Sequence, residues 1–106
     1  MNDLRLLSLA PVPQEFVHGL ESMGFHPILI SEGEADAVYH SVPPGNEPDL
    51  LHFLGVLGRH RPPAFFIELD RSELARAISE VVDLGFRCAW IRLSGSSYTF
   101  VGWQPA

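Results

Sequence analysis

The sequence predicts an α+β domain whose largely antiparallel sheet carries its helices on one face. Three observations lead there. Apolar residues make up 46% of the 106, enough for one packed core in a chain of ordinary domain size. Short strand-like runs are interleaved with runs in which apolar residues recur at helical spacing. The second half also repeats the plan of the first. Leu4 to Leu9, a run ending Ser22-Met23-Gly24-Phe25, and Ile28-Leu29-Ile30 are echoed by Phe65 to Leu69, a run ending Asp83-Leu84-Gly85-Phe86, and Ala89-Trp90-Ile91. Within one domain spanning 1–106, this gives possible strand-helix-strand-strand half-repeats over 3–42 and 64–103, with a linking helix over 46–58. A ferredoxin-like plait is the alternative arrangement.

Residues 4–9 read as the first strand, ended by Pro11 and Pro13. Pro13 suits a first helical position, where a missing N–H costs nothing. Phe16, Leu20 and Met23 then line one helix face. Gly24 stops the helix, because glycine takes the left-handed cap conformation freely. Phe25 to Ser31 is a second strand, 31–34 a turn, and Ala35 to Val42 a third strand. Beyond Pro43-Pro44-Gly45, Asn46 with Asp49 marks a helix start and Gly58 its close. Leu50, Leu51, Phe53, Leu54, Val56 and Leu57 make this helix apolar on more than one face, so it is buried on two sides or meets a partner. Phe65 to Leu69 is a strong strand. Asp70 and Glu73 form a capping-box-like start, Leu74, Ile78, Val81 and Leu84 give the next buried stripe, and Gly85 ends it. Arg87 to Leu93 and Tyr98 to Trp103 form a hairpin around 94–97.

Composition excludes several function classes. A net charge of −6 argues against sequence-independent nucleic-acid binding and against anionic membrane surfaces. There is no lysine, which removes Schiff-base chemistry and a P-loop lysine. No apolar run approaches the ~20 residues of a membrane helix. The start lacks the pattern of a secretory signal, and Cys88 has no second cysteine to pair with, so a cytoplasmic location is expected. The five histidines lack metal-site spacing, and Glu32, Glu34 and Asp36 lack the calcium-loop pattern. No nucleophile elbow, dinucleotide fingerprint or Walker pattern occurs. No metal and no cofactor are therefore expected.

Glu68 is the leading candidate for a site. It interrupts an apolar strand, and alternation puts it with Phe66 on the face opposite Phe65, Ile67 and Leu69. A buried carboxylate must be paired or protonated. Glu68 is thus either a ligand or catalytic carboxylate on the open sheet face, a structural partner of Arg5, Arg87 or Arg92, or simply exposed on a half-solvated face. Trp90, Tyr98 and Trp103 cluster late in the chain, and aromatics beside a carboxylate suit a cationic or planar ligand. The order of elements is similar to the plan of gyrase-inhibitor-like ligand-binding domains. That resemblance implies a small-molecule site between the halves, with a carboxylate set against a cation.

Function is expected in the class of small acidic, non-enzymatic interaction or regulatory proteins, such as an adaptor, inhibitor or immunity-type partner. The expected partner is the chain itself, as a homodimer, or another protein. Two alternatives stand beside it. One is a sensor of a cationic or planar small molecule, with Glu68, Trp90, Tyr98 and Trp103 lining its pocket. The other is a small ferredoxin-like enzyme using His40 or Glu68 as base.

Overall fold

A computed structural model describes residues 2–43, 45–94 and 97–105, with the side chains of residues 71 and 90–98 outside the description. The elements run β1 (Asn2–Ser8), α1 (Gln14–Ser22), β2 (Phe25–Ile30), β3 (Ala37–Ser41), α2 (Glu47–His60), β4 (Ala64–Leu69), α3 (Leu74–Asp83), β5 (Arg87–Ser94) and β6 (Ser97–Trp103). A 3-10 turn at Arg71–Glu73 leads into α3. One sheet holds every strand, in the order β2-β1-β3-β4-β6-β5. The first four are parallel neighbours, whereas β6 runs antiparallel to both β4 and β5.

The α+β class stands, but the expected arrangement within it is corrected on two points. The sheet is mixed rather than largely antiparallel, and helices cover both faces rather than one. The physical reason lies in which strands the core selects. β1 buries Leu6 and Leu7 on opposite faces, as a central strand must. β2 carries Pro27 and leaves Ile28 and Leu29 exposed, so it takes the edge, where a missing ladder donor is tolerated. β1 therefore lies between β2 and β3, and the turn at 31–36 crosses its end instead of closing a hairpin.

The two halves keep the same element order but pair differently. β1 contacts both later strands of its half directly, whereas β6 separates β4 from β5. The pairing differs both from that of a ferredoxin-like plait and from the two matched halves that the gyrase-inhibitor-like resemblance implies.

Each sheet face has its own core. On one, Phe16 and Leu20 of α1 pack on Leu6, Ala37, Tyr39 and Phe66. On the other, α2 and α3 bury Phe53, Leu57, Ala77 and Val81 against Leu7, Val38, Phe65, Ile67 and Phe100. The apolar surplus of α2 is thus absorbed inside the domain, although Leu51 remains exposed. Gly24 and Gly85 close α1 and α3 at positive φ, +94° in each case. Asn46 caps α2, accepting the Asp49 N–H at 3.2 Å. That helix runs past Gly58 and ends instead at Arg61, which adopts the left-handed conformation with φ 44°.

Gly102 on β6 sits opposite Phe65 in the ladder, and a Cβ there would collide with the Phe65 ring. Gly102→Ala is expected to destabilise the fold by about 1–3 kcal/mol through overpacking. The double variant Gly102→Ala/Phe65→Leu should recover part of that loss. Urea denaturation midpoints check both. An unchanged midpoint for Gly102→Ala would mean that the ring has room to move.

Candidate functional site

In an open sheet with parallel strands, the place for a ligand is the crevice beyond the carboxyl ends, where successive crossovers leave in opposite directions. Here β1 connects through α1 to β2 on one side, and β3 connects through α2 to β4 on the other. The switch point therefore falls between the ends of β1 and β3. Below it the strands stay paired, with the Leu9 N–H donating to the Tyr39 carbonyl at 2.9 Å. Beyond it, the Ser8 hydroxyl turns back onto the Ala10 carbonyl. Pro11 and Pro13 then carry the chain to α1, whose N-cap Pro13 makes no side-chain cap.

The end of β3 presents two polar side chains, one to each face. His40 is 5% exposed and stacks on Phe53 of α2, with ring centroids 5.7 Å apart. Its Nε2 stands 3.0 Å from Oδ1 of Asp49, in the first turn of α2. That approach is close enough for a charge interaction but lacks hydrogen-bond geometry, so both ring nitrogens are buried without a hydrogen-bond partner. Buried polar atoms are rarely left unpaired, and the Asp49 carboxylate is the acceptor that stands next to this ring.

On the opposite face, Tyr39 is fully buried and its Oη also lacks a hydrogen-bond partner. Burial pushes its phenol well above the usual range, and the nearby Glu68 carboxylate adds to the shift. Glu68 itself is half-buried on β4. Desolvation raises its carboxyl above the ordinary value, the Tyr39 hydroxyl opposes that shift, and Glu15 of α1 adds to it. Tyr39 and Glu68 thus act on one another's charge as neighbours, although their geometry falls short of a hydrogen bond. Thr99 of β6 pairs with Glu68 and is buried beside it.

Of the residues singled out from sequence, Glu68 lies at this carboxyl edge. Trp103 pairs with Ala64 at the opposite end of β4, half-exposed, so it does not join Glu68. Trp90 and Tyr98 lend backbone to β5 and β6, and their side chains lie outside the described residues. Neither Arg5 nor Arg87 forms an ion pair with Glu68 among the described residues, and the Arg92 side chain lies outside them. Sequence reading missed Tyr39, Asp49 and Glu15 as companions of His40 and Glu68. A signal was available in Tyr39-His40, a polar pair closing an apolar strand just before a double proline. Cys88 is partly buried, which pushes its thiol up, away from nucleophile behaviour. Among the described residues no cluster of metal-ligating side chains occurs, and no helix is long and apolar enough to cross a membrane.

No protein-family model matches the chain, and no curated protein matches it by sequence. Solved structures do match in fold. Precorrin-6y C5,15-methyltransferase from Geobacter metallireducens superposes with a TM-score of 0.58 at 11% identity, over 99% of this chain and 82% of that one. A methyltransferase from Pyrococcus furiosus gives 0.58 at 14%, over 95% and 62%. A putative DNA modification methyltransferase encoded within an E. coli prophage gives 0.55 at 12%, over 98% and 47%. The chain thus spans less than two thirds of the latter two. Identities this low establish the fold alone.

The fold is methyltransferase-like. This finding overturns the expectation of a small acidic non-enzymatic adaptor, inhibitor or immunity-type protein, which rested on a missing motif and an apolar helix now seen to be internal.

The raised carboxyl of Glu68 gives a signed pH dependence. A folded-state value above the unfolded one favours the fold at low pH, and the benefit is lost as pH rises through the folded value. Glu68→Gln removes that dependence. It should stabilise the protein near pH 7 by at most about 1 kcal/mol, since part of the side chain stays in solvent. The gain should vanish below about pH 4, where both states are protonated. Paired thermal melts of wild type and variant across pH 4–8 check this, and a gain of equal size at every pH would contradict it.

Proposed function

We propose that this domain belongs to methyl-transfer chemistry and holds a cofactor of the S-adenosylmethionine class over the carboxyl ends of β1 and β3. The observation that carries the reading is the methyltransferase-like sheet, with the buried His40 ring and the Asp49 carboxylate beside its switch point. Dinucleotides fit the same edge poorly. Their pyrophosphate needs backbone N–H groups from a glycine-rich turn after the first strand, and Pro11 and Pro13 supply none. A sulfonium nucleoside has no phosphate and carries positive charge. The edge offers it carboxylates from Glu15, Glu32, Asp49 and Glu68. Glu32, two residues past β2, holds the position from which an acidic side chain accepts ribose hydroxyls in open α/β sheets.

Such a cofactor supplies an electrophilic methyl group when bound. The chain's own side chains divide the remaining work. His40, fixed between Phe53 and Asp49, offers a ring nitrogen to the ligand. Glu68, with its raised carboxyl, is poised to take a proton from an incoming nucleophile.

Isothermal titration calorimetry with S-adenosylhomocysteine tests the assignment, with NADH and ATP as comparators. Saturable binding of the nucleoside thioether alone is expected, weakened at least about tenfold in Glu32→Gln through loss of a charge-assisted hydrogen bond. At 100 times its dissociation constant, the ligand should stabilise the fold by about 2.7 kcal/mol. Preferred binding of NADH, or no binding of S-adenosylhomocysteine by the folded protein, would overturn the reading.

A further inference from the structure

A pocket opens beside β1, at the amino ends of β3 and β4. It is a groove of about 490 Å³ bounded by β1, by the segment entering β3 and by the segment between α2 and β4. Arg5, His60 and Arg61 line it, with Glu34 and Asp36 on its acidic side. In a chain of net charge −6, two arginines line this groove with no ion-pair partner among the described residues.

Both are placed by backbone contacts. Arg5 and Asp36 hold one another: the Arg5 N–H donates to Oδ2 of Asp36 at 2.8 Å, and the Asp36 N–H donates to the Arg5 carbonyl at 2.9 Å. The Arg5 side chain extends toward Gly33, where a side-chain Cβ would lie 4.0 Å from its guanidinium. Arg61 occupies the left-handed position that ends α2. A non-glycine residue there costs of order 1 kcal/mol, so an arginine is tolerated at a place where glycine would be free. The Arg61 N–H donates to the Leu57 carbonyl, and its own carbonyl accepts from the Gln104 amide at 2.6 Å. Its guanidinium carbon stands 5.6 Å from the Phe86 ring centroid. Gly85 keeps that side clear, since a Cβ there would come within 3.5 Å of the guanidinium.

We propose that this groove binds a phosphomonoester that also carries hydroxyl groups, such as a sugar phosphate. Guanidinium groups match phosphate oxygens in pairs, and Arg5 and Arg61 supply two forks. Glu34 and the remaining oxygen of Asp36 accept hydroxyl donors. The carbonyl end of α2 faces the groove, so the attraction for an anion comes from the arginines and not from the helix dipole. The volume lies within the usual range for small-ligand sites.

An NMR titration of the ¹⁵N-labelled full chain provides the test, with ribose 5-phosphate, inorganic phosphate and neutral ribose as probes. Ribose 5-phosphate should shift the amides of Gly33, Asp36, Arg61 and Gly85 saturably, and ribose should not. Arg61→Gly suits the backbone and removes the whole side chain, the guanidinium and its approach to Phe86 included. It and Arg5→Gln should each weaken binding at least about tenfold, the loss expected for one charge-assisted hydrogen bond. Arg61→Gly should not change the affinity for S-adenosylhomocysteine, because Arg61 lies at the carboxyl end of α2, away from the carboxyl ends of β1 and β3, so failure here and failure of the cofactor assignment are separate results. Absence of saturable shifts up to about 10 mM, weaker than any ordinary specific site, would overturn the proposal. So would unchanged binding in Arg61→Gly. Equal affinity for inorganic phosphate would overturn the hydroxyl-recognition part.

Discussion

The Phe65 ring is the constraint around which one whole side of the molecule is set. It is fully buried and meets Phe53 of α2, Phe86 at the exit of α3 and Phe100 of β6, each edge-on at 5.3–5.9 Å between centroids. Aromatic pairs in this arrangement add to the energy of burial and fix relative orientation. Two helices and the β4–β6 register are therefore referenced to a single side chain. Gly102 makes the space for it, and the same cluster carries outward to Phe86 and the Arg61 guanidinium. The geometry at the amino end of the sheet thus depends on packing at its centre.

The carboxyl end is organised by alternation along β3. Consecutive residues Tyr39 and His40 point to opposite faces, the Tyr39 hydroxyl toward Glu68 and the His40 ring between Phe53 and Asp49. Both lie at the end of the strand beside the switch point.

Much of the fold was legible in the sequence because its signals were local. Gly24 and Gly85 marked helix ends through backbone conformation, Asn46 marked a start through its cap, and the alternation around Glu68 placed it on the correct face. Strand pairing was not legible. Whether β2 turns back on β3 or crosses behind β1 depends on a competition for the buried centre, and only Pro27 and the exposed apolar residues of β2 hint at the outcome. Gly58 misled as well. A Cβ there would make only an ordinary contact with Leu84, so the glycine marks no helix end and α2 continues to His60. The site was half legible. Glu68 stood out as a charge in an apolar strand, whereas His40 and Asp49 meet only once α2 folds back over β3.

The position of β6 bears on how such a chain acquires its fold. It follows β5 in sequence yet lies inside it, between β5 and β4. A ribosome delivers β5 first, with no strand yet available to pair it to the growing sheet. The ladder from β4 outward must wait for the last strand to insert, and until then β4 keeps an open edge flanked by Phe65, Phe66 and Ile67. Long-range pairing of this kind slows folding and leaves a sticky intermediate. In a cell, that interval is when a chaperone would find this protein.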